Sequence, residues 1–400
     1  PAFYLGSEDN DLEELNRINL NGDTIIWDTN QSGAVGRMNT KGLDLIIERI
    51  SGELSVLPNG PELVKELKDC YLKSNSIQEA TFRFVHYLFK DFGLIVVIPD
   101  NQSLKKKMIP VFEDDILQNN PSQIVSKTAA RLEENYHAQV NPREINLFYL
   151  IDGVRERIIQ TDSGFRINNS DIRFTKDEIV KELNLHTERF SPNVVLRGIF
   201  QETILPNIAF IGGGSEIAYW LELKDMFQHY GVPYPMLIMR NSFMIIDQKS
   251  KEKMDNLGLE IDDLFKDEME LMNELVKKQS HVNLSLDKEL EEIRRYYDEL
   301  REKSGDVDPT LAQHVIAMEV RALKAVEELE KKMLKAERRK FENQQVQIQQ
   351  LKASLFPSGN LQERVDNILP FYAKYGNDFI RNLYENSPTL EQQFTILTEC

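Results

Sequence analysis

Carboxylates crowd the end of one short apolar run in this chain. "PAFYLGSEDNDLEELN" places a strand-like Pro1–Leu5 before Gly6, and then gathers Glu8, Asp9, Asp11, Glu13 and Glu14. Open α/β sheets receive ligands at the carboxyl ends of their strands. Asp9 and Asp11 there can hold an ammonium, sugar hydroxyls or a divalent cation. The plainer reading is a helix capped by Ser7 whose first-turn acids only complement its dipole. On these residues alone the plainer reading is favoured.

A second group lies in "NIAFIGGGSEIAYW", where Gly212, Gly213 and Gly214 join a predicted strand to a helix. Such a turn leaves backbone N–H groups and a positive helix end free for an anion. It is not a P-loop, and Ile217 fills the third glycine position of G-x-G-x-x-G, so the dinucleotide fingerprint fails. A tight turn with close helix–strand packing accounts for the same glycines equally well. Arg240 follows "YPMLIM", and Arg197 shares a helix face with Gln201. Either guanidinium can fork onto a carboxylate or phosphate, with a surface ion pair as the alternative. The six histidines never fall at metal-ligand spacing, and there is no G-x-S-x-G or CxxC. Metal-dependent hydrolysis and nucleophilic Ser or Cys catalysis therefore have little support.

The elements that must position these groups alternate between strand and helix. Amphipathic helices are expected at about 41–51 and 61–74, with short strands at "DTIIW" and "GAVGRM". "SIQEATFRFVHYLFKDFG" opens on a Ser76/Glu79 capping box and closes at Gly93. "LIVVI" (94–98) reads as a strand covered on both faces of a parallel sheet, and helix follows from Ser103. Residues 145–174 carry Asp152-Gly153 and Ser163-Gly164 between β-rich runs, the pattern of a small inserted antiparallel meander. Ser191 and Pro192 are expected as N-cap and first residue of a helix at 192–205.

Beyond about residue 250, segments 262–302 and 310–353 are long, charged and poor in breakers. Leu286, Leu290, Ile293, Tyr297 and Leu300 keep a 4-3-4-3 spacing, as Met318, Ala322, Ala325 and Leu329 do on the second segment, the seam of a coiled coil. "SGDVDP" (304–309) folds the arms into an antiparallel hairpin, each about 60 Å long. Two shorter helices are expected to close the chain.

The 400 residues suffice for two or three domains, with 41% hydrophobic and 28% charged residues, as in ordinary soluble chains. A net charge of −17 opposes nucleic-acid and anionic-membrane binding. No apolar stretch reaches the roughly 20 residues of a membrane helix. Cys70 and Cys400 form no disulfide framework, which points to a cytoplasmic setting. Cys70 lies on the apolar stripe of its helix with Leu63 and Leu67. Because Pro1 opens inside an element, residue 1 is expected to begin a fragment.

Taken together, "EDNDLEELN", "RFSPNVVLRGIFQETILPNIAFIGGGSEIAYWLELK", "YPMLIMRNSF" and the helical hairpin resemble the bacillithiol biosynthesis cysteine-adding enzyme family. The resemblance spans the chain, in the helical part by pattern more than by sequence. It implies an α/β Rossmann-like nucleotide-binding core with connecting-peptide insertions, followed by a long antiparallel α-helical coiled coil that forms a homodimer. The core would occupy 1–25, 76–144 and 190–249, with insertions at 26–75 and 145–189. The coiled coil would run over 250–355, and C-terminal helices over 356–400. The implied activity joins L-cysteine to glucosaminyl-malate through an amide, completing bacillithiol. A nucleotide, with ATP the candidate, would activate a carboxylate as an acyl-adenylate. Asp9, Asn10 and Asp11 would be the catalytic group. Asn193, Arg197, Gly212, Gly213, Gly214, Glu216 and Arg240 would bind substrate and nucleotide. The family commonly has Glu-Asp-His-Asp where Glu8-Asp9-Asn10-Asp11 stands here. Asn10 cannot exchange a proton near neutral pH, so a hydrogen-bonding role alone carries over. The competing readings are a non-catalytic dimer scaffold and a sugar-nucleotide transferase on a similar core.

Overall fold

The computed structural model describes residues 1–387, 390, 391 and 393–399; Cys400 lies outside them. The chain divides into one unit of residues 1–242 with 366–395, and another of 243–365 with the residues from 396. The boundary falls seven residues before the expected one at 249/250. The helices Ile368–Tyr375 and Asn377–Glu385 belong to the first unit and not to the coiled coil. A strand, Phe394–Thr398, follows them where no strand was expected.

In the first unit, Ala2–Tyr4 pairs in parallel with Ile95–Val97, and Ala209–Gly212 with Met236–Met239. Both pairs feed helices, at Gln102–Lys105 and Gly214–Glu222, so the α/β reading holds. The expected burial on both faces does not. Ile95 is 59% and Ile211 66% exposed, and among the described residues no hydrogen bond joins the two ribbons. A β-branched run fits a covered strand, but composition cannot say that the cover is present.

The acidic stretch is a turn rather than a Ser7-capped helix. Ser7 N donates to Leu5 O at 2.7 Å, and only Leu12–Leu15 is helical, with Asp11 at its N-cap position. "GAVGRM" is likewise no strand but a single 3-10 turn, Val35–Arg37. Its Gly36 passes so close to Ser7 that a Cβ would sit 2.3 Å from the Ser7 carbonyl oxygen. Arg17–Leu20 and Asp23–Ile26 form a hairpin across the expected 25/26 boundary. The helices Leu43–Leu54, Gly60–Tyr71 and Ile77–Phe89 follow as expected. Ser76 accepts from Glu79 N, and the Glu79 carboxylate accepts from Asn75 N at 3.0 Å.

The meander forms a five-stranded antiparallel sheet. Residues Leu147–Ile151, Val154–Thr161, Gly164–Ile167 and Arg173–Phe174 run in sequence, and Phe190–Pro192 adds to the free edge of Leu147–Ile151. Ser191 and Pro192 are thus strand residues. Asn193 is the true N-cap of Val194–Ile204, accepting from Val195 N at 2.9 Å and Leu196 N at 3.4 Å. The sheet does not pack apart from the helices around it. Tyr149, Ile158, Phe165 and Phe190 share one core with Phe112, Ile199, Phe200, Trp220 and Phe227.

In the second unit the arms pair antiparallel. Lys352 Nζ donates to Leu264 O, Gln349 to Glu268 at 2.9 Å, Ser280 to Glu337 at 3.1 Å, and Arg301 to Glu319 at 2.6 Å. The first arm is nevertheless broken into Glu268–Gln279 and Asp287–Val307. Between them Ser280, Asn283 and Ser285 each accept the N–H two residues on, at 3.0, 3.1 and 3.2 Å. Such local bonds compete with the helix ladder. Ser304–Val307 are helical, so the reversal is only 308–310. The second arm also packs on another face than expected: Val315 is 8% exposed, whereas Met318 is 42% and Leu329 52% exposed.

Candidate active site

Consecutive residues of the acidic turn point in opposite directions. Glu8 is buried and meets Lys105 Nζ, which is wholly buried and also donates to Glu188 O at 3.0 Å. Asp100 stands 3.6 Å from the same Nζ and is held bidentately by Arg37, at 2.6 and 2.7 Å. Burial pushes the Glu8 carboxyl up, with Lys105 opposing. Burial acts the same way on Asp100, but there Arg37 and Lys105 prevail and hold the acid below its ordinary range.

Asp9 turns outward, with Oδ2 3.9 Å from Nη1 of Arg197. The Asn10 Oδ1 accepts from Arg155 Nη1 at 2.8 Å. Arg155 is buried, stacks 4.1 Å above the Phe148 ring, and donates through Nε to Ser191 Oγ at 3.2 Å. Burial pulls this guanidinium down from its usual value, while Glu8, Asp9 and Asp11 partly restore it. Asp11 stays at the helix cap, its side chain making no capping bond.

Arg197 also donates through Nη2 to Tyr219 OH at 3.2 Å. It opens onto a cavity of about 540 Å³ lined by Tyr4, Gln201, Glu216, Tyr219 and Arg240 among others. The glycine turn stands beside this cavity. Arg240 N donates to Gly212 O at 2.9 Å, and the Arg240 guanidinium lies 3.5 Å from where a Gly213 Cβ would be. Gly213 N donates to the Glu216 carboxylate at 2.8 Å, so an anion approaching that N–H meets Glu216 first. Gly214 is the first helical residue.

The structure therefore brings Arg197, Glu216 and Arg240 to one cavity and sets Asp9 at its margin through Arg197. Asn193 serves its helix, with Nδ2 donating to Asn146 Oδ1 at 3.0 Å, and Asp9, Asn10, Asp11, Asn193, Gly212, Gly213 and Gly214 all stand outside the cavity's lining. Arg155, Tyr219 and Lys105 escaped sequence reasoning. For Lys105 a signal existed: it sits three and seven residues before Met108 and Phe112, on their apolar face. No spacing rule singles out Arg155. Among the described residues, no group of three or more His, Cys, Asp or Glu is placed to hold a metal ion.

Fold and site define a two-part protein, a Rossmann-like domain with an acid–arginine cavity followed by a coiled-coil domain. Residues 1–241 match the family described as "Bacillithiol biosynthesis BshC, N-terminal Rossmann-like domain", and residues 243–399 its "C-terminal coiled-coil domain". The chain belongs to the bacillithiol biosynthesis BshC family. It is similar to a protein of Flavobacterium johnsoniae named "Putative cysteine ligase BshC", 38% identical over 398 residues, covering 100% of this chain and 75% of that one. A protein of the same name from Christiangramia forsetii is 38% identical over 403 residues, with the same coverage. One from Flavobacterium psychrophilum is 36% identical, covering 99% and 75%.

Proposed function

We propose that the chain is a cysteine ligase that joins L-cysteine to glucosaminyl-malate through an amide, in the cytoplasm, as the last step of bacillithiol synthesis. The observation that carries the reading is the meeting of Asp9 with Arg197 beside the cavity that Arg197 shares with Arg240, in a chain of this family. A carboxylate and an ammonium do not condense in water, so the carboxylate needs a leaving group. A nucleotide supplies it, with ATP the candidate. Arg197 and Arg240 offer charge-assisted donors to phosphate or carboxylate oxygens, and Asp9 an acceptor for the cysteine ammonium or glucosamine hydroxyls. Asn10, its Oδ1 engaged by Arg155, serves as a hydrogen-bonding group.

The protein acts as a homodimer through 262–353. Met318, Ala325 and Leu329 support this, because they form a row that the hairpin leaves exposed. No helix among the described residues is long and apolar enough to cross a membrane.

The test is incubation of the protein with L-cysteine, glucosaminyl-malate and ATP, with mass-spectrometric detection of the amide. Product that requires all three supports the reading. No product and no calorimetric binding would favour a scaffold, and turnover of a sugar nucleotide instead would favour a transferase.

A further inference from the structure

The acidic turn is held by a group of buried charges that touches nothing in the cavity. Lys105 is 0% exposed, Glu8 6%, and the Asp100 side chain 5%. Lys105 Nζ reaches Glu8, Glu188 O at 3.0 Å and Asp100 at 3.6 Å. Arg37 closes the group by gripping Asp100 and reaching Glu188 O at 3.3 Å. Glu8 and Glu188, both distant in sequence, thus converge with Asp100 on one ammonium, and Arg37 joins the group through Asp100 and Glu188. Burying ions is expensive, and apolar residues of similar volume commonly stabilise a fold as well or better. What a buried pair supplies that methylenes do not is direction.

That direction matters at Glu8. Glu8, turned inward, is followed directly by Asp9, which meets Arg197, and by Asn10, which meets Arg155. The backbone is docked from the other side as well: Gly36 N donates to Ser7 O at 2.9 Å and Val35 N to Asp9 O at 2.8 Å. Arg37, which holds Asp100, belongs to the same 3-10 turn as these two donors. Lys105 therefore stands where the turn, the end of the Ile95–Val97 strand and the 3-10 turn are tied together.

We propose that Lys105 is a positioning residue, which through Glu8 sets the orientation of Asp9 toward Arg197 at the cavity margin and of Asn10 toward Arg155. The inference rests on the ligase reading for its catalytic consequence, and on the geometry alone for the positioning.

The experiment compares the parent with Lys105→Met, Glu8→Met and the double variant, which leaves the Arg37–Asp100 pair intact. Each single change strands a buried charge and is expected to lower the melting temperature. The double variant removes both charges and should melt near the parent. Backbone hydrogen exchange in the double variant should be at least tenfold faster at residues 7–12 and 35–36 and unchanged elsewhere. The rate of amide formation should fall at least tenfold while melting recovers. Recovery of melting, exchange and rate together would overturn the proposal and leave the pair a matter of stability only. Faster exchange with an unchanged rate would support the positioning and overturn the assignment of the turn to the site.

Discussion

Arg155 Nη1 lies 2.8 Å from Asn10 Oδ1, and this bond decides which end of the Asn10 amide is free. With one lone pair of its oxygen engaged, Asn10 keeps both amide N–H donors for a ligand. Arg155→Lys keeps the charge but loses the planar fork that spans Asn10 and Ser191 and stacks on Phe148. The expected outcome is a folded protein destabilised by about 1–3 kcal/mol whose ligation rate falls by roughly tenfold or more. Chemical denaturation beside steady-state kinetics checks both.

A pH effect is expected from a buried acid outside the cavity's lining. Asp115 is wholly buried, and burial pushes its carboxyl up to about 7, against the two hydrogen bonds that Asn146 donates to it. An acid whose folded value exceeds its unfolded one keeps its proton in the folded state while the unfolded chain has released it. Stability from this group therefore falls as pH rises from about 4 to about 7, by at most about 1.4 kcal/mol per pH unit, and levels off above. Urea unfolding at pH 5, 6, 7 and 8 should show this slope in the parent and its loss in Asp115→Asn. Equal slopes would mean that Asp115 is ionised throughout.

The exposed row on the second arm gives a prediction about assembly. Met318→Lys with Leu329→Lys alters two side chains that are 42% and 52% exposed. The hairpin should keep its helicity by circular dichroism, while light scattering should report monomer. A dimer that survives both charges would place the contact elsewhere.

The α/β alternation, the meander with its two Gly turns and the antiparallel hairpin were legible because each rests on local periodicity and turn chemistry. What failed depended on partners distant in sequence. Ser191 and Pro192 look like a helix start, yet the edge of Leu147–Ile151 draws them into the sheet. Ser280, Asn283 and Ser285 look like ordinary polar positions of a long helix, yet their side chains take backbone N–H groups and end it. The 4-3-4 spacing of Met318, Ala322, Ala325 and Leu329 was real, but spacing does not say which of two faces meets the neighbouring arm. Near the cavity, Arg240 was singled out by its place at a strand end and Arg197 by the helix face it shares with Gln201. Lys105 was missed although its spacing from Met108 and Phe112 put it on an apolar face, and Arg155 because no local spacing marks it apart from the partners it meets in the fold.

Ligation is proposed to take place at the margin where Asp9 meets Arg197. The most direct measurement is the steady-state rate of amide formation from cysteine, glucosaminyl-malate and ATP for Asp9→Asn and Arg197→Met, with a thermal melt of each. Asp9 lies 3.9 Å from Arg197 and is partly exposed, so its loss should change stability by under about 1 kcal/mol. The account predicts that both variants melt close to the parent and lose at least about tenfold in rate, near the cost of one charge-assisted hydrogen bond. Parental rates in both would contradict it.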